Sequence, residues 1–108
     1  MSMVEVRIFV DPENVGKLMN AMADAEVTGF YVVEYRGVAP DRWEGFEIQE
    51  DPEHAIKALN DLSERAVMVV TIIREEHLDG LKEAVRRRLS DERYTIIVSD
   101  VREILVEG

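Results

Sequence analysis

The chain has no cysteine among its 108 residues. A disulfide framework and thiolate chemistry are both excluded. Long apolar runs are also missing. The longest without a charge covers residues 66–73, far short of the roughly 20 residues a membrane helix needs. The start, MSMVEVRIF, carries no cationic flank and passes straight into a strand pattern. No signal peptide is expected, and the expected location is the cytoplasm. Bases are scarce: 13 stand against 23 acids, for a net charge of −10. Nucleic acid is therefore disfavoured as a partner, because phosphate binding needs a local cationic surface. The one basic cluster, Arg86-Arg87-Arg88, does not change this. Consecutive helical residues point about 100° apart, and cations near a helix C-terminus answer the helix dipole.

Catalytic signatures are absent as well. There is no P-loop, no GxGxxG and no nucleophile elbow. His54 and His77 each fall in the first turn of an expected helix, without His-x-x-His or HExxH spacing. They read as structural, and no metal ligand is assigned. No EF-hand spacing occurs, and sequence alone nominates no carboxylate dyad. A non-enzymatic protein is expected, with no catalytic residue.

Against these absences stands one strong strand signal, EVTGFYVVEYRGV over residues 26–38. It holds five β-branched residues and three aromatics. Alternation places Tyr31, Val33 and Tyr35 on one face and Phe30, Val32, Glu34 and Arg36 on the other. With 46 % hydrophobic residues, the chain has the size and composition for one domain, residues 1–108, around one core.

The remaining elements fall on either side. Residues 3–10 alternate cleanly, with Val4, Val6, Ile8 and Val10 on one side. Asp11-Pro12 reads as an N-cap followed by proline at the first helical position. Val15, Leu18, Met19 and Met22 make one apolar stripe, with the helix ending near Ala25. Residues 39–64 form a polar insertion with eight acids and two bases from Asp41 onward. Asp51-Pro52 repeats the capping device there, and Ala55, Ile56, Leu59 and Leu62 predict a short helix over residues 52–63. The nearly continuous apolar run over residues 65–73 predicts a central strand. A helix over residues 75–89 follows, with Leu78, Leu81, Val85 and Leu89 as its stripe. Gly80 inside it costs about 1 kcal/mol relative to alanine, which points to close packing on the sheet. A strand over residues 94–98, an interruption at Ser99-Asp100 and a short strand over residues 101–106 complete the chain.

The order is βαβ, loop and short helix, βαβ, then a terminal strand. This implies an α+β ferredoxin-like βαββαβ sandwich with one bare sheet face. That face would be lined by the Val4–Val10 set or the Tyr31–Tyr35 set. Association through it, with closed cyclic symmetry, is the simplest cover.

The segments DP, EVTGFYVVEYRG and IIVSDVREIL together resemble the nitrogen regulatory protein PII family. Its pattern, K-P…G-[IVL]-T-G-M-T-V-[TS]-E-V-[KR]-G, is matched at Pro12, Val27, Thr28, Gly29, Val32, Glu34, Arg36 and Gly37. At the far end, I-F-V-x-[DP]-V-x-x-[VA]-[IV] is matched at Ile96, Val98, Asp100 and Val101. The resemblance implies a homotrimer with its sheets packed inward. It places residues 39–64 where the family carries the T-loop that docks onto transporters and enzymes. It places Phe9, Thr28, Gly29, Arg36 and Gly37 along the inter-subunit cleft where the family binds ATP. The family's Gly-rich B-loop, T-G-x-x-G-D-G-K, is replaced here by SDERYT. Without glycines, that backbone cannot cradle phosphates in the same way. The family's paired C-terminal arginines fall on Val106 and Gly108, and its lysine falls near Ala66. The cofactor is thus left unassigned, and ATP binding of the usual kind is not expected.

Each candidate has a plainer reading. Gly37 would let a ligand approach the backbone and Arg36 would offer a forked donor, or they simply end a strand. Phe9, Thr28 and Gly29 are ordinary strand residues as well as cleft positions. Arg42, Trp43 and Phe46 would anchor a partner protein, or Trp43 folds back on the sheet. The expected function is a PII-like regulator with a small effector in its clefts and a partner on the 39–64 loop. The alternative is a trimeric cation-tolerance protein of the CutA type, binding metal through loop acids and His54.

Overall fold

A computed structural model of the chain describes residues 2–37 and 49–108. The alternating segment at the start is strand β1 (Met3–Val10), with Val4, Val6, Ile8 and Val10 buried. Asp11 and a 3₁₀ turn (Pro12–Asn14) lead into helix α1 (Val15–Asp24). The Asp11 side chain makes no cap hydrogen bond and accepts instead from Arg93 at 3.1 Å.

Helix α1 closes with a Schellman pair. Val27 N–H donates to the Met22 carbonyl and Glu26 N–H to the Ala23 carbonyl, both at 3.0 Å. The geometry needs a left-handed residue at Glu26, whose φ is +57°. Strand β2 (Phe30–Gly37) consequently starts four residues later than residue 26, where the strand was expected to begin. Helix α2 (Pro52–Leu62) follows, with Asp51 accepting from His54 N–H at its N-terminus. Strand β3 (Glu64–Arg74), a 3₁₀ turn (Glu75–His77), helix α3 (Leu78–Arg88) and strand β4 (Tyr94–Val101) complete the order.

The sheet order is β2-β3-β1-β4, and every neighbouring pair is antiparallel. Strands β1 and β2 therefore run parallel on either side of β3, as β3 and β4 do on either side of β1. This is the ferredoxin-like split βαβ pairing expected from the element order. Leu18, Ala21 and Met22 of α1 and Leu81, Ala84 and Val85 of α3 share one core with β1, Val67 and Val69. The Val4–Val10 set thus lies under the helices, whereas Tyr31, Val33 and Tyr35 take the other face. On the helix side, Phe30 and Val32 of β2 stay exposed and outside the core cluster.

Three further expectations are corrected. Ser99 and Asp100 do not interrupt β4: they pair with Glu5 and Val4, because β1 still offers backbone partners there. Beyond Val101 the register with β1 runs out at Met3, and residues 102–108 form no strand. Gly80 is exposed, and a methyl group built on it would meet nothing within 4 Å. Close packing on the sheet is not its role.

Candidate functional site

The strand registers gather one end of the sheet into a crease. Val10 sits between Val67 and Tyr94, and Gly37 faces Glu64 across β2 and β3. Phe9, Asp11, Tyr35, Gly37, Glu64 and Arg93 line the depression. Phe9 and Tyr35 meet edge to face, with centroids 6.2 Å apart and planes at 88°. Arg93 sits just before β4 and donates to Asp11 on one side, with the Glu64 carboxylate 3.9 Å away on the other. A β-carbon at Gly37 would lie 3.4 Å from the Tyr35 ring. The enclosed volume is about 20 Å³, room for one water. Within one chain this is a shallow wall, not a ligand cavity.

A second concavity of about 360 Å³ lies at the opposite end of the sheet. It is formed by the α1–β2 turn, the end of β3 and the start of α3, with Thr28, Gly29, Arg74 and His77 in its lining. The buried Thr71 hydroxyl donates to the Gly29 carbonyl and ties the turn to β3.

The expected ligand residues are therefore divided. Phe9 and Gly37 share the crease, whereas Thr28 and Gly29 lie at the other end of β2. The length of that strand, at about 3.3 Å per residue, puts the two groups on the order of 20 Å apart. One small ligand cannot touch both on a single chain. Arg36 alternates away from Gly37 onto the helix-side face, opposite Arg65, and does not line the crease. Arg42, Trp43 and Phe46 lie outside the described residues.

The described part of the insertion is α2 and its flanks. Asp51 accepts from the His54 backbone and lies 2.6 Å from His54 Nδ1. The His54 side chain and then its N–H hold the Asp51 carboxyl below its usual range. The expected stripe is real but uncovered: Ile56, Leu59 and Leu62 are 61 %, 54 % and 45 % exposed, and no residue of α2 is buried.

The basic cluster takes its structural role. Arg88 grips Asp24 with two hydrogen bonds of 2.7 and 3.0 Å, Arg87 stands 3.6 Å from the same carboxylate, and Arg86 pairs with Glu83 at 3.0 Å. The Arg88 hydrogen bond lowers the Asp24 pKa, and Asp24 raises that of Arg88 in return. Lys17 and Asn14 likewise lower Glu92. Sequence reasoning missed Asp11, Glu64 and Arg93 as a group. Their opposite charges were visible, but only the antiparallel registers put the end of β1 beside the starts of β3 and β4.

Among the described residues no group of three or more His, Asp or Glu side chains is placed to hold a metal. No helix among them is long and apolar enough to cross a membrane.

Residues 2–108 match the family described as uncharacterized protein, homolog of nitrogen regulatory protein PII. An uncharacterized protein of Methanothermobacter thermautotrophicus is 43 % identical over 105 residues, which are 97 % of this chain and 70 % of that protein. The uncharacterized protein MJ1244 of Methanocaldococcus jannaschii is 42 % identical over 99 residues, 92 % of each chain. Among solved structures, the chain is similar to CPII, a nitrogen regulatory PII-like protein from Thiomonas intermedia bound to ADP, AMP and bicarbonate. The TM-score is 0.65 at 15 % identity, covering 96 % of this chain and 98 % of that one. GlnK of B. subtilis gives 0.63 at 17 % identity, covering 94 % and 87 %. A DUF3240 family protein of Shewanella baltica gives 0.72 at 7 % identity, covering 100 % and 99 %. At these identities the structural likenesses speak for the fold alone.

Proposed function

Because the chain belongs to the family of homologs of nitrogen regulatory protein PII, we propose that it is a non-enzymatic regulator built as a homotrimer. A small effector binds at clefts between its subunits, and a partner protein binds through residues 39–64.

The observation that carries this reading is the position of the crease. The described residues flanking the insertion are Gly37 of β2 and Glu64 of β3, which face each other across a ladder and line the same depression. A ligand held against Phe9, Gly37 and Arg93 would touch both roots of the insertion. Its binding energy can then select among conformations of the insertion. The crease needs a second wall, and the bare sheet face supplies a reason for a neighbour. Tyr31, Ile72 and Ile97 are 59 %, 41 % and 38 % exposed on that face, which also carries an Arg7–Glu5 ion pair of 2.6 Å. A neighbouring subunit covering this face brings its own Thr28–Gly29 end within reach of a cleft.

The charge of the crease bears on the effector. Arg93 is its one cation among the described lining residues and already faces Asp11 and Glu64. A triphosphate gains little there, whereas a monophosphate or a small anion needs only one guanidinium. The test is sedimentation for assembly, with thermal-shift titration of AMP, ADP, ATP and bicarbonate. A trimer is expected, stabilised by AMP or bicarbonate at least as much as by ATP. Saturation at 100 times the dissociation constant adds about 2.7 kcal/mol. Arg93→Gln should remove that gain. A monomer that none of the four stabilises would overturn the proposal. Stabilisation by micromolar divalent cation alone would favour the metal-binding alternative.

A further inference from the structure

The surface of α2 that faces solvent is the least explained feature of the molecule. Its eleven residues alternate apolar and polar at helical spacing, with a capping aspartate and an N-terminal proline, yet none of them is buried. Isolated helices shorter than about 12–15 residues are marginal in water, and most draw their stability from packing an apolar face. The sequence is therefore written for a helix whose partner is absent from the core formed by the described residues. Resting on the reading of the insertion as a partner-binding element, we propose that Ile56, Leu59 and Leu62 dock into an apolar groove rimmed by lysine and arginine on a different protein.

Charge selects this occupant from the others. Residues 49–64 carry five acids, Glu50, Asp51, Glu53, Asp61 and Glu64, against Lys57 as the one Lys or Arg. Glu53, Lys57 and Asp61 follow one another at four-residue spacing on the ridge away from the stripe, so the lysine has an acid on each side. The helix and its flanks behind the docking face are thus net negative. A helix is about 10 Å across, so groups at the rim of a groove sit about one Debye length from these acids near physiological salt, where attraction is reduced but present. A second α2 would bring the same excess of acids against the first, within a chain already at −10. An anionic lipid surface is repelled for the same reason. A basic rim around an apolar floor satisfies both halves of the helix, in the helix-in-groove manner.

The test uses the full chain and three labelled model peptides. One has leucine and lysine at helical periodicity, one has leucine and glutamate, and one has the lysine peptide's composition in shuffled order. Binding is read by fluorescence anisotropy at low and physiological salt. The patterned lysine peptide should bind best and weaken as salt rises. The variant Ile56→Ser with Leu59→Ser keeps every charge and should bind it at least tenfold more weakly. Glu53→Gln with Asp61→Asn keeps the stripe and should flatten the salt dependence. Equal binding of the patterned and shuffled lysine peptides, or no loss in the serine variant, would overturn the proposal. So would preference for the glutamate peptide, or self-association that the serine variant abolishes, which would make a second copy the occupant. The serine changes lie on exposed positions and should leave melting unchanged. Effector titration run on the same variants separates the two proposals. If the natural chain fails to bind the patterned lysine peptide but keeps its AMP or bicarbonate stabilisation, the docking inference alone fails; peptide binding without effector stabilisation fails the effector reading alone.

Discussion

Helices α2 and α3 have the same length, 11 residues each, and opposite fates. Residue for residue α3 is the more polar of the two, yet it buries Leu81, Ala84 and Val85 while α2 buries nothing. Overall apolarity does not decide burial. What decides it is connection: α3 joins two strands of one sheet and must cross its face, whereas α2 sits in an insertion between neighbouring strands and has no face to cross.

The sharpest way to break this contrast is truncation of equivalent leucines. Leu81→Ala should cost about 2–5 kcal/mol in chemical denaturation, because it opens a cavity in the shared core. A cost near zero would mean that α3 is as loosely held as α2. Next in size is Glu26→Gly, at the left-handed end of α1. Glycine removes the side-chain clash of that conformation and should stabilise the domain by about 1 kcal/mol. No gain would show that the Schellman turn carries no strain for the packed half to hold.

The two acids at helix ends give smaller, pH-dependent effects. Asp24 is held below its ordinary value of 3.8 by Arg88. A lowered carboxyl contributes fully above its unfolded pKa and loses that contribution as pH falls through the lower folded value. The stability gap between the natural chain and Asp24→Asn should therefore be present at neutral pH and close below about pH 4. Asp51, lowered by His54, has the same sign, but its reach is local. Asp51→Ala should reduce helical circular dichroism and leave the melting temperature of the domain in place. A large shift in melting would tie α2 to the core after all. Smallest is Leu59→Ala, expected within about ±0.5 kcal/mol, as for exposed positions generally.

Much of this was legible beforehand. The period-two pattern of residues 3–10, the stripes of α1 and α3 and the continuous run of β3 each follow from a single local rule. The α2 boundaries were also readable, because Asp51-Pro52 starts the helix and Ser63 N–H closes it on the Leu59 carbonyl at 2.9 Å. Three of the failures share one cause. Gly80 was read as a packing residue, Ser99-Asp100 as a break, and Asp11 as a cap. In each, the outcome depended on what another segment offered: open solvent, the backbone of β1, and Arg93.

The amino-acid order by itself determined the kinds of elements, their succession and the apolar side of each, because these depend on neighbours a few residues away. Only the tertiary structure decided which apolar side found cover. Among the described residues it left that of α2 exposed and much of one side of the sheet uncovered, and it brought Asp11, Glu64 and Arg93 together from three distant places. Those outcomes depend on strand register and crossover geometry, which no short stretch of sequence contains.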